Sequence, residues 1–160
     1  MQRLIVVMGV SGCGKSTLGK ALADRLGCLF IEADDHHSAS NVEKMSSGVP
    51  LTDADRADWV DSIVTRLDET DQADVVLACS ALTPFVQSRL LSAKNRRVIW
   101  LYLAVSKQVL TERMNAREHF MPASLLDSQF EALSVPEKAI ELDGELEFEG
   151  LIAQVCQHLG

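Results

Sequence analysis

The sequence lacks three features that mark whole classes of protein: closely spaced cysteines, long apolar runs and an excess of positive charge. The four cysteines form no C-x-x-C pair, which excludes the common zinc and disulfide patterns and favours a reduced, cytoplasmic protein. The longest apolar run, Leu4–Val10, is too short to cross a bilayer, and no signal-peptide cleavage site follows it. A net charge of −8 disfavours nucleic-acid and membrane-surface partners.

The chain also lacks internal repeats, low-complexity tracts and flexible linkers. Its 160 residues, at roughly 100–200 residues per domain, predict a single domain over residues 1–160. Apolar residues make up 47% and charged residues 24%, the ordinary mixture of a soluble globular protein. A chain of this length buries enough surface to form a core without disulfides or metals.

Apolar runs alternate with amphipathic stretches along the chain. The runs that predict buried strands are residues 4–8, 28–31, 75–79, 98–103 and, less strongly, 139–142. Helices are expected between them, one opened by Thr52 with Asp55 as a capping box and one by Thr83-Pro84. The polar stretch 32–50 indicates no particular element. Strands that alternate with helices predict an α/β fold of three layers around a parallel sheet.

A glycine-rich motif follows the first predicted strand and opens a helix. Residues 9–16 read G-V-S-G-C-G-K-S and match the P-loop pattern G-x-x-x-x-G-K-[ST]. In this pattern backbone N–H groups cradle phosphates, the lysine reaches the terminal phosphates and the hydroxyl binds Mg²⁺. The residues predicted to bind ATP are Gly9, Val10, Ser11, Gly12, Cys13, Gly14, Lys15, Ser16 and Thr17. The alternative is a glycine-rich turn with an incidental lysine.

Two functional classes remain open at this point. The chain has no guanine-reading Asn/Thr-Lys-x-Asp motif, so a GTPase switch is not indicated. A small-metabolite kinase and a non-catalytic ATP-binding sensor both fit a P-loop.

Two carboxylates, Glu32 and Asp34, follow the second predicted strand, where open α/β sheets place their chemistry. If the protein is a kinase, one of these carboxylates is expected to face the water ligands of Mg²⁺, and the other is expected to face the hydroxyl of the acceptor. Glu32 is assigned to the metal and Asp34 to the acceptor, as the catalytic base. Solvated turn acids are the alternative.

Residues 34–59 carry a longer pattern. They read D-D-H-H, then N-V-E-K-M-S-S-G-V-P-L-T-D-A-D-R and a tryptophan, and resemble the corresponding segment of gluconokinases. The segments C-S-A-L at 79–82, H-F at 119–120 and S-Q-F at 128–130 also resemble that family. The family commonly has a lysine and a Tyr-Arg pair where this chain has Thr83, Val86 and Gln87.

The resemblance implies a five-stranded parallel sheet flanked by helices, as in shikimate and nucleoside-monophosphate kinases. It implies a substrate-binding segment near 34–59 and a mobile lid near 113–125. It also implies a homodimer that uses ATP and Mg²⁺ to phosphorylate D-gluconate at its 6-hydroxyl. Another aldonate or shikimate is the alternative acceptor.

Seven further residues are candidates for the site. Arg56 suits a substrate carboxylate because its guanidinium binds such groups bidentately, although a surface ion pair with Asp53 or Asp55 is the alternative. The remaining candidates are His37, Asn41, Ser80 and His119 for the substrate, with Arg113 and Arg117 closing on the transferred phosphoryl group. A solvated basic helix face is the alternative for the two arginines, and a strand-end hydroxyl for Ser80.

Overall fold

The computed structural model describes residues 2–116 and 125–159. Within these ranges five parallel strands form one sheet in the order β2-β3-β1-β4-β5. The strands are β1 (Gln2–Met8), β2 (Leu29–Glu32), β3 (Asp74–Ala78), β4 (Arg96–Ala104) and β5 (Ile140–Asp143). The helices are α1 (Lys15–Leu26), α2 (Ala39–Ser46), α3 (Asp53–Glu69), α4 (Pro84–Leu91), α5 (Lys107–Asn115), α6 (Leu125–Ala132) and α7 (Phe148–Leu159). The predicted five-stranded parallel α/β fold is confirmed.

The two faces of the sheet bury separate cores, as expected when apolar side chains alternate along parallel strands. Ile5 and Val7 of β1 point into the core formed with α1, α5, α6 and α7. Leu4, Val6 and Met8 point into the opposite core, formed with α3 and α4. The helices thus form one layer on each side of the sheet.

The central strand β1 decides where the site lies. It pairs with β3 on one side and β4 on the other. The strands that follow β1 in sequence therefore lie on both of its sides, β2 and β3 on one and β4 and β5 on the other. Open α/β sheets bind ligands in the crevice at the carboxyl end of such a strand. The glycine-rich loop occupies this position, because it directly follows Met8 and precedes α1.

The helix caps predicted from sequence are present. In α3, Thr52 Oγ1 accepts from the Asp55 N–H at 3.2 Å while Asp55 Oδ2 accepts from the Thr52 N–H at 3.0 Å. Thr83 caps α4, in which Pro84 takes the first turn. Both caps satisfy N–H groups that the first helical turn leaves unpaired.

The polar stretch 32–50 contains structure that the sequence pattern did not indicate. A 3₁₀ turn spans Ala33–His36, and α2 follows with Ser38 Oγ accepting from the Asn41 N–H at 3.1 Å. Only Asn41 and Met45 of α2 are buried, so this short helix has no apolar stripe of the usual length.

Two other expectations concern the chain after β4. Helix α5 ends at Asn115, and most of the predicted lid at 113–125 lies outside the described residues. Across residues 2–116 and 125–159, no helix has both the length and the apolar character that a bilayer crossing requires.

Candidate active site

The glycine-rich loop has a backbone shape that only glycine accommodates at several positions. Gly9, Gly12 and Gly14 have φ angles of 152°, 82° and 101°, in the region that side chains disfavour. A Cβ on Gly9 would also lie 2.9 Å from Cys13 Sγ. The loop therefore curls tightly before α1, and its N–H groups lie at the positive end of that helix.

Lys15 and Ser16, the first residues of α1, point to different partners. Lys15 Nζ donates to the Val10 carbonyl at 3.1 Å, so the ammonium folds back over the loop. Ser16 Oγ donates to Glu32 Oε2 at the end of β2. A hydroxyl and a carboxylate thus meet below the loop, and both are oxygen donors of the kind that Mg²⁺ prefers.

A cleft of about 190 Å³ opens beside the loop, and we call it the central cleft. Its polar lining residues are Ser11, Lys15, Asp34, His37, Arg56, Ser80, Ser128 and Gln129. Its apolar lining residues are Met45, Val49, Pro50, Leu51, Trp59, Leu82, Leu125 and Ala132. The volume suits a small metabolite. The cleft places Lys15, Asp34 and Arg56 around one space, although the first and the last are 41 positions apart in sequence.

The 3₁₀ turn after β2 separates the two carboxylates. Asp34 lines the central cleft, whereas Glu32 contacts Ser16 and lies outside the lining. The Asp34 N–H lies 3.4 Å from Glu32 Oε1, which holds the turn against the strand end. The two acids therefore face different groups, which supports the separate roles assigned to them.

His37 and Trp59 form one wall of the central cleft. Their rings stack with centroids 4.4 Å apart and planes 8° apart, and Trp59 Nε1 donates to the Ala33 carbonyl at 2.7 Å. Burial lowers the pKa of His37 below its usual value, while the nearby Asp34 carboxylate acts in the opposite direction. His37 is thus held rigid and uncharged near neutral pH, with a ring able to hydrogen-bond hydroxyls.

Asn41, predicted to bind substrate, lies behind His37 and is not among the residues that line the central cleft. Its side chain is 5% exposed, and its Nδ2 donates to the Asp55 carbonyl at 2.8 Å. The same Nδ2 lies 3.4 Å from His37 Nδ1. Asn41 therefore connects α2 to α3 and contacts the His37 ring.

Arg56 sits in the first turn of α3 and lines the central cleft. Its NH1 lies 3.4 Å from Asp53 Oδ1, a long ion pair with a carboxylate that is 56% exposed. The Arg56 guanidinium therefore forms the surface ion pair that was one predicted alternative, and it also faces the cleft, as the carboxylate-binding alternative requires. An exposed pair of this kind stabilises by little, so Arg56 remains available to a bound anion.

The turn after β3 carries Ser80 into the central cleft. Ala81 has a left-handed φ of 45°, and Gln87 Nε2 donates to its carbonyl at 2.9 Å. Gln87 also donates to the Ser134 carbonyl at 2.6 Å. Thr83 caps α4, and Val86 is 1% exposed. None of Thr83, Val86 and Gln87 lines the central cleft. The positions where the related family commonly has cations thus carry structural side chains here.

Arg113 lies on the other side of the loop from Arg56. It lines a second space of about 510 Å³, the side pocket, and its NH2 donates to the Gly144 carbonyl at 3.3 Å. The side pocket is also lined by Gly12, Cys13, Gly14, Thr17, Leu18, Leu103, Ala116, Leu146, Phe148 and Leu151. Leu146 and Phe148 are 47% and 40% exposed, so an apolar surface stands open beside the phosphate loop.

Several predicted residues are brought together and others are not described. Lys15, Asp34, His37, Arg56 and Ser80 share the central cleft. Arg117 and His119 lie outside the described residues, and their assignments stay predictions. In the parts of the chain that the structure describes, no group of three or more His, Cys, Asp or Glu side chains forms a metal site.

Sequence reasoning missed the walls supplied by α6, by Leu146 and by the first residue of α7. Gln129 Oε1 accepts from the Ser11 N–H at 2.7 Å, and no local pattern connects residues so far apart in sequence. The S-Q-F segment at 128–130 was part of the family resemblance, which is the signal that could have found it. Phe148 and Leu146 carried no such signal.

Comparison with known proteins identifies relatives of this arrangement. The chain matches the shikimate kinase family over residues 11–141. It is 43% identical over 162 aligned residues to the gluconokinase of Gluconobacter oxydans. This alignment covers 98% of this chain and 90% of that protein.

Two solved structures extend the comparison to three dimensions. A sugar kinase from Janibacter sp. HTCC2649 has a TM-score of 0.92 at 39% identity, covering 99% of this chain and 95% of that one. A gluconokinase from Sinorhizobium meliloti 1021 has a TM-score of 0.84 at 38% identity, with 98% and 95% covered. Because these similarities span nearly the whole chain, the protein belongs to the gluconokinase family of kinases.

Proposed function

We propose that the protein transfers the terminal phosphoryl group of ATP to the 6-hydroxyl of D-gluconate. The observation that carries the proposal is the central cleft, where Lys15 of the phosphate loop shares one space with Asp34 and Arg56. Gluconate has a carboxylate at one end and a primary hydroxyl at the other. The cleft offers a cation for the first and a carboxylate for the second.

The nucleotide is proposed to lie across the loop, with its phosphates on the loop N–H groups and its base in the side pocket. The open apolar surfaces of Leu146 and Phe148 suit the flat face of a base. Arg113 lines the same pocket as the loop residues Gly12, Cys13 and Gly14, and its role in the proposal is to interact with phosphate charge. The resemblance adds Arg117 and His119 on the proposed lid.

The Ser16 hydroxyl and, through water, the Glu32 carboxylate are the residues that would hold Mg²⁺. Two protein oxygens suffice because this ion usually keeps several waters and binds substrate phosphates as well. The ion supplies neutralisation of charge on the phosphates, which a loose phosphoryl-transfer transition state needs.

The acceptor is positioned by the other wall. Arg56 binds the sugar-acid carboxylate, while His37 and Ser80 hydrogen-bond hydroxyls along the chain. Asp34 orients the reacting hydroxyl and accepts its proton as the new oxygen–phosphorus bond forms and the bond from that phosphorus to the leaving ADP oxygen breaks. Lys15 neutralises charge on the transferred group.

The cellular setting is part of the same proposal. A net charge of −8 and cysteines without the usual pairing patterns suit a cytoplasmic enzyme, and the family resemblance suggests a homodimer. Gel filtration with light scattering measures the assembly directly: a mass near twice 17.5 kDa supports the dimer, and a mass near 17.5 kDa contradicts it.

An ADP-release assay across several acceptors tests the function. Gluconate, other aldonates, shikimate and an acceptor-free blank are compared, with Mg²⁺ and ATP constant. Gluconate is expected to give the highest kcat/KM, and the 6-phosphate product is identified by NMR. A higher kcat/KM with shikimate or another aldonate would contradict the assigned substrate, and release in the blank alone would indicate a hydrolase.

The Lys15→Ala variant tests the loop in the same assay. Removing a charge that stabilises the transferred group is expected to lower kcat at least about 10²-fold with every acceptor. Lys20→Ala is the matched control, because Lys20 lies on the same helix but is exposed. Equal activity of the two variants would disprove the nucleotide assignment.

A further inference from the structure

Helix α6 contacts three separate walls of the central cleft. At its start, Leu125 packs with Met45 and Leu51 of the substrate-binding segment. In its middle, Gln129 Oε1 accepts from the Ser11 N–H of the phosphate loop at 2.7 Å. Just beyond its end, the Ser134 N–H donates to the carbonyl of Leu82 at 2.8 Å. This helix therefore connects the loop, the acceptor segment and the turn after β3.

The phosphate loop has two sides, and Ser11 lies on the side that faces the acceptor. Gly12, Cys13 and Gly14 line the side pocket, whereas Ser11 lines the central cleft. A phosphoryl group that moves from nucleotide to acceptor has to pass from the first space to the second. In the ATP complex of the proposed function, Ser11 is therefore the loop residue on the acceptor side of the terminal phosphoryl group.

The glycines beside this part of the loop restrict its backbone conformation little. Glycines at 9 and 12 flank it, and both have positive φ angles that other residues rarely adopt. Glycine permits many backbone conformations and loses the most entropy when it is ordered. An external partner for the Ser11 N–H, such as the Gln129 oxygen, holds the peptide in one orientation.

We propose that Gln129 is a positioning residue for phosphoryl transfer. By accepting from the Ser11 N–H, it holds the loop in the shape that fits the terminal phosphoryl group, and through α6 it ties that shape to the acceptor segment. The proposal deepens the proposed function, since it rests on the phosphate loop binding ATP. It does not depend on the identity of the acceptor.

Nucleotide affinities of Gln129 variants test the proposal without any acceptor. Dissociation constants for ADP and for a non-hydrolysable ATP analogue are measured by calorimetry with Mg²⁺ present. Gln129→Met keeps the side-chain size but removes the oxygen, and Gln129→Asn withdraws the amide by one methylene. Glu131→Gln is the matched control, because Glu131 is exposed on the same helix.

Gln129→Met is expected to weaken binding of the ATP analogue about 5- to 10-fold, within the range of about 2- to 13-fold for losing one hydrogen bond. ADP, which lacks the terminal phosphoryl group, should change less than about 2-fold, well below the loss of that bond. Gln129→Asn should change the ratio of the two dissociation constants, ATP analogue to ADP, in the same direction. It replaces Gln129→Met in the test if that variant does not fold. Glu131→Gln should match the parent protein.

Three outcomes would overturn the proposal. Equal weakening of ADP and the analogue would mean that Gln129 only supports the loop structurally. Tighter binding of the analogue would mean that Gln129 blocks the phosphate site and competes for the Ser11 N–H. Unchanged affinities would mean that the bond has no part in nucleotide binding. A failure of gluconate as acceptor leaves all of these readouts intact, so it is distinguished from a failure of this proposal.

Discussion

Single residues at the end of β2 show how neighbouring side chains of one chemical type acquire different surroundings. Glu32 contacts the Ser16 hydroxyl below the phosphate loop, while Asp34 faces the central cleft. Asp34 lies within the 3₁₀ turn that begins directly after Glu32. Substitutions that remove charge but keep shape separate their roles.

Asp34→Asn is expected to lower kcat at least about 10²-fold, because an amide can hydrogen-bond the acceptor hydroxyl but cannot take its proton. The dissociation constant for ATP should change little, since Asp34 lies on the acceptor side. Steady-state kinetics and calorimetry measure the two quantities.

Glu32→Gln is expected to raise the Mg²⁺ concentration needed for half-maximal rate, and excess Mg²⁺ should restore part of the activity. The reason is that Glu32 reaches the ion through water, so its loss weakens the site without removing Ser16. Titrating kcat against Mg²⁺ for both variants compares them directly. Metal rescue of Asp34→Asn alone would show that the two roles are reversed.

Arg56→Ala is expected to reduce kcat/KM for gluconate about 10- to 150-fold, the value of a hydrogen bond to a charged group. An uncharged sugar alcohol should lose much less, because it has no carboxylate for the guanidinium. Arg66→Ala, which removes an exposed arginine from the same helix, is the control. Equal losses for the acid and the alcohol would disprove carboxylate recognition by Arg56.

Among the elements, α2 depends on α3 for its position. Lys44 of α2 pairs with Asp55 at 2.7 Å, and Asn41 donates to the Asp55 carbonyl. Asp55 also completes the capping box of α3, and these contacts, with the Lys44 hydrogen bond the largest cause, lower its pKa to about 2. One carboxylate thus joins two helices that form adjacent walls of the cleft.

Asp55→Asn is expected to lower the thermal unfolding midpoint at pH 7, with the loss shrinking as pH falls. The folded-state pKa is below the ordinary 3.8, so the charged form stabilises the fold above that value. This contribution is lost as pH falls through about 2, where the parent carboxylate is also protonated. Unfolding midpoints of parent and variant between pH 7 and pH 2 check it; a difference independent of pH would contradict the role of charge.

At the scale of the whole molecule, we expect stability to depend on pH through the half-buried His37 of the cleft wall. Burial lowers the pKa of His37, and the neighbouring charges of Arg56 and His36 act in the same direction against that of Asp34. The unfolded chain therefore takes up a proton at higher pH than the folded chain does. By linkage, stability falls as pH falls below about 6.5, the ordinary pKa of histidine.

His37→Gln is expected to remove part of this loss. Between pH 7.5 and pH 5, the unfolding midpoint of the variant should fall less steeply than that of the parent, because glutamine does not titrate. His158→Gln, at an exposed position of α7, is the control. Parallel slopes for parent and His37→Gln would show that His37 does not contribute.

Local sequence determined much of this protein. The glycine positions of the loop, the Thr52–Asp55 capping box and the Thr83-Pro84 helix start were all predictable, because each depends on hydrogen bonds within a few residues. The apolar runs predicted the parallel sheet, because strands that are buried on both faces have a continuous apolar sequence.

Tertiary structure decided the rest. The helix α2 has too few apolar residues to be recognised, and contacts with α3 hold it in place. Asn41 was predicted to contact substrate, yet its amide is used between helices, because only the fold determines which polar groups become buried. The bond from Ser11 to Gln129 joins residues 118 positions apart, and only the packing of α6 against the loop brings them together. A sequence pattern encodes which groups a segment carries, whereas packing across the sheet determines which groups meet.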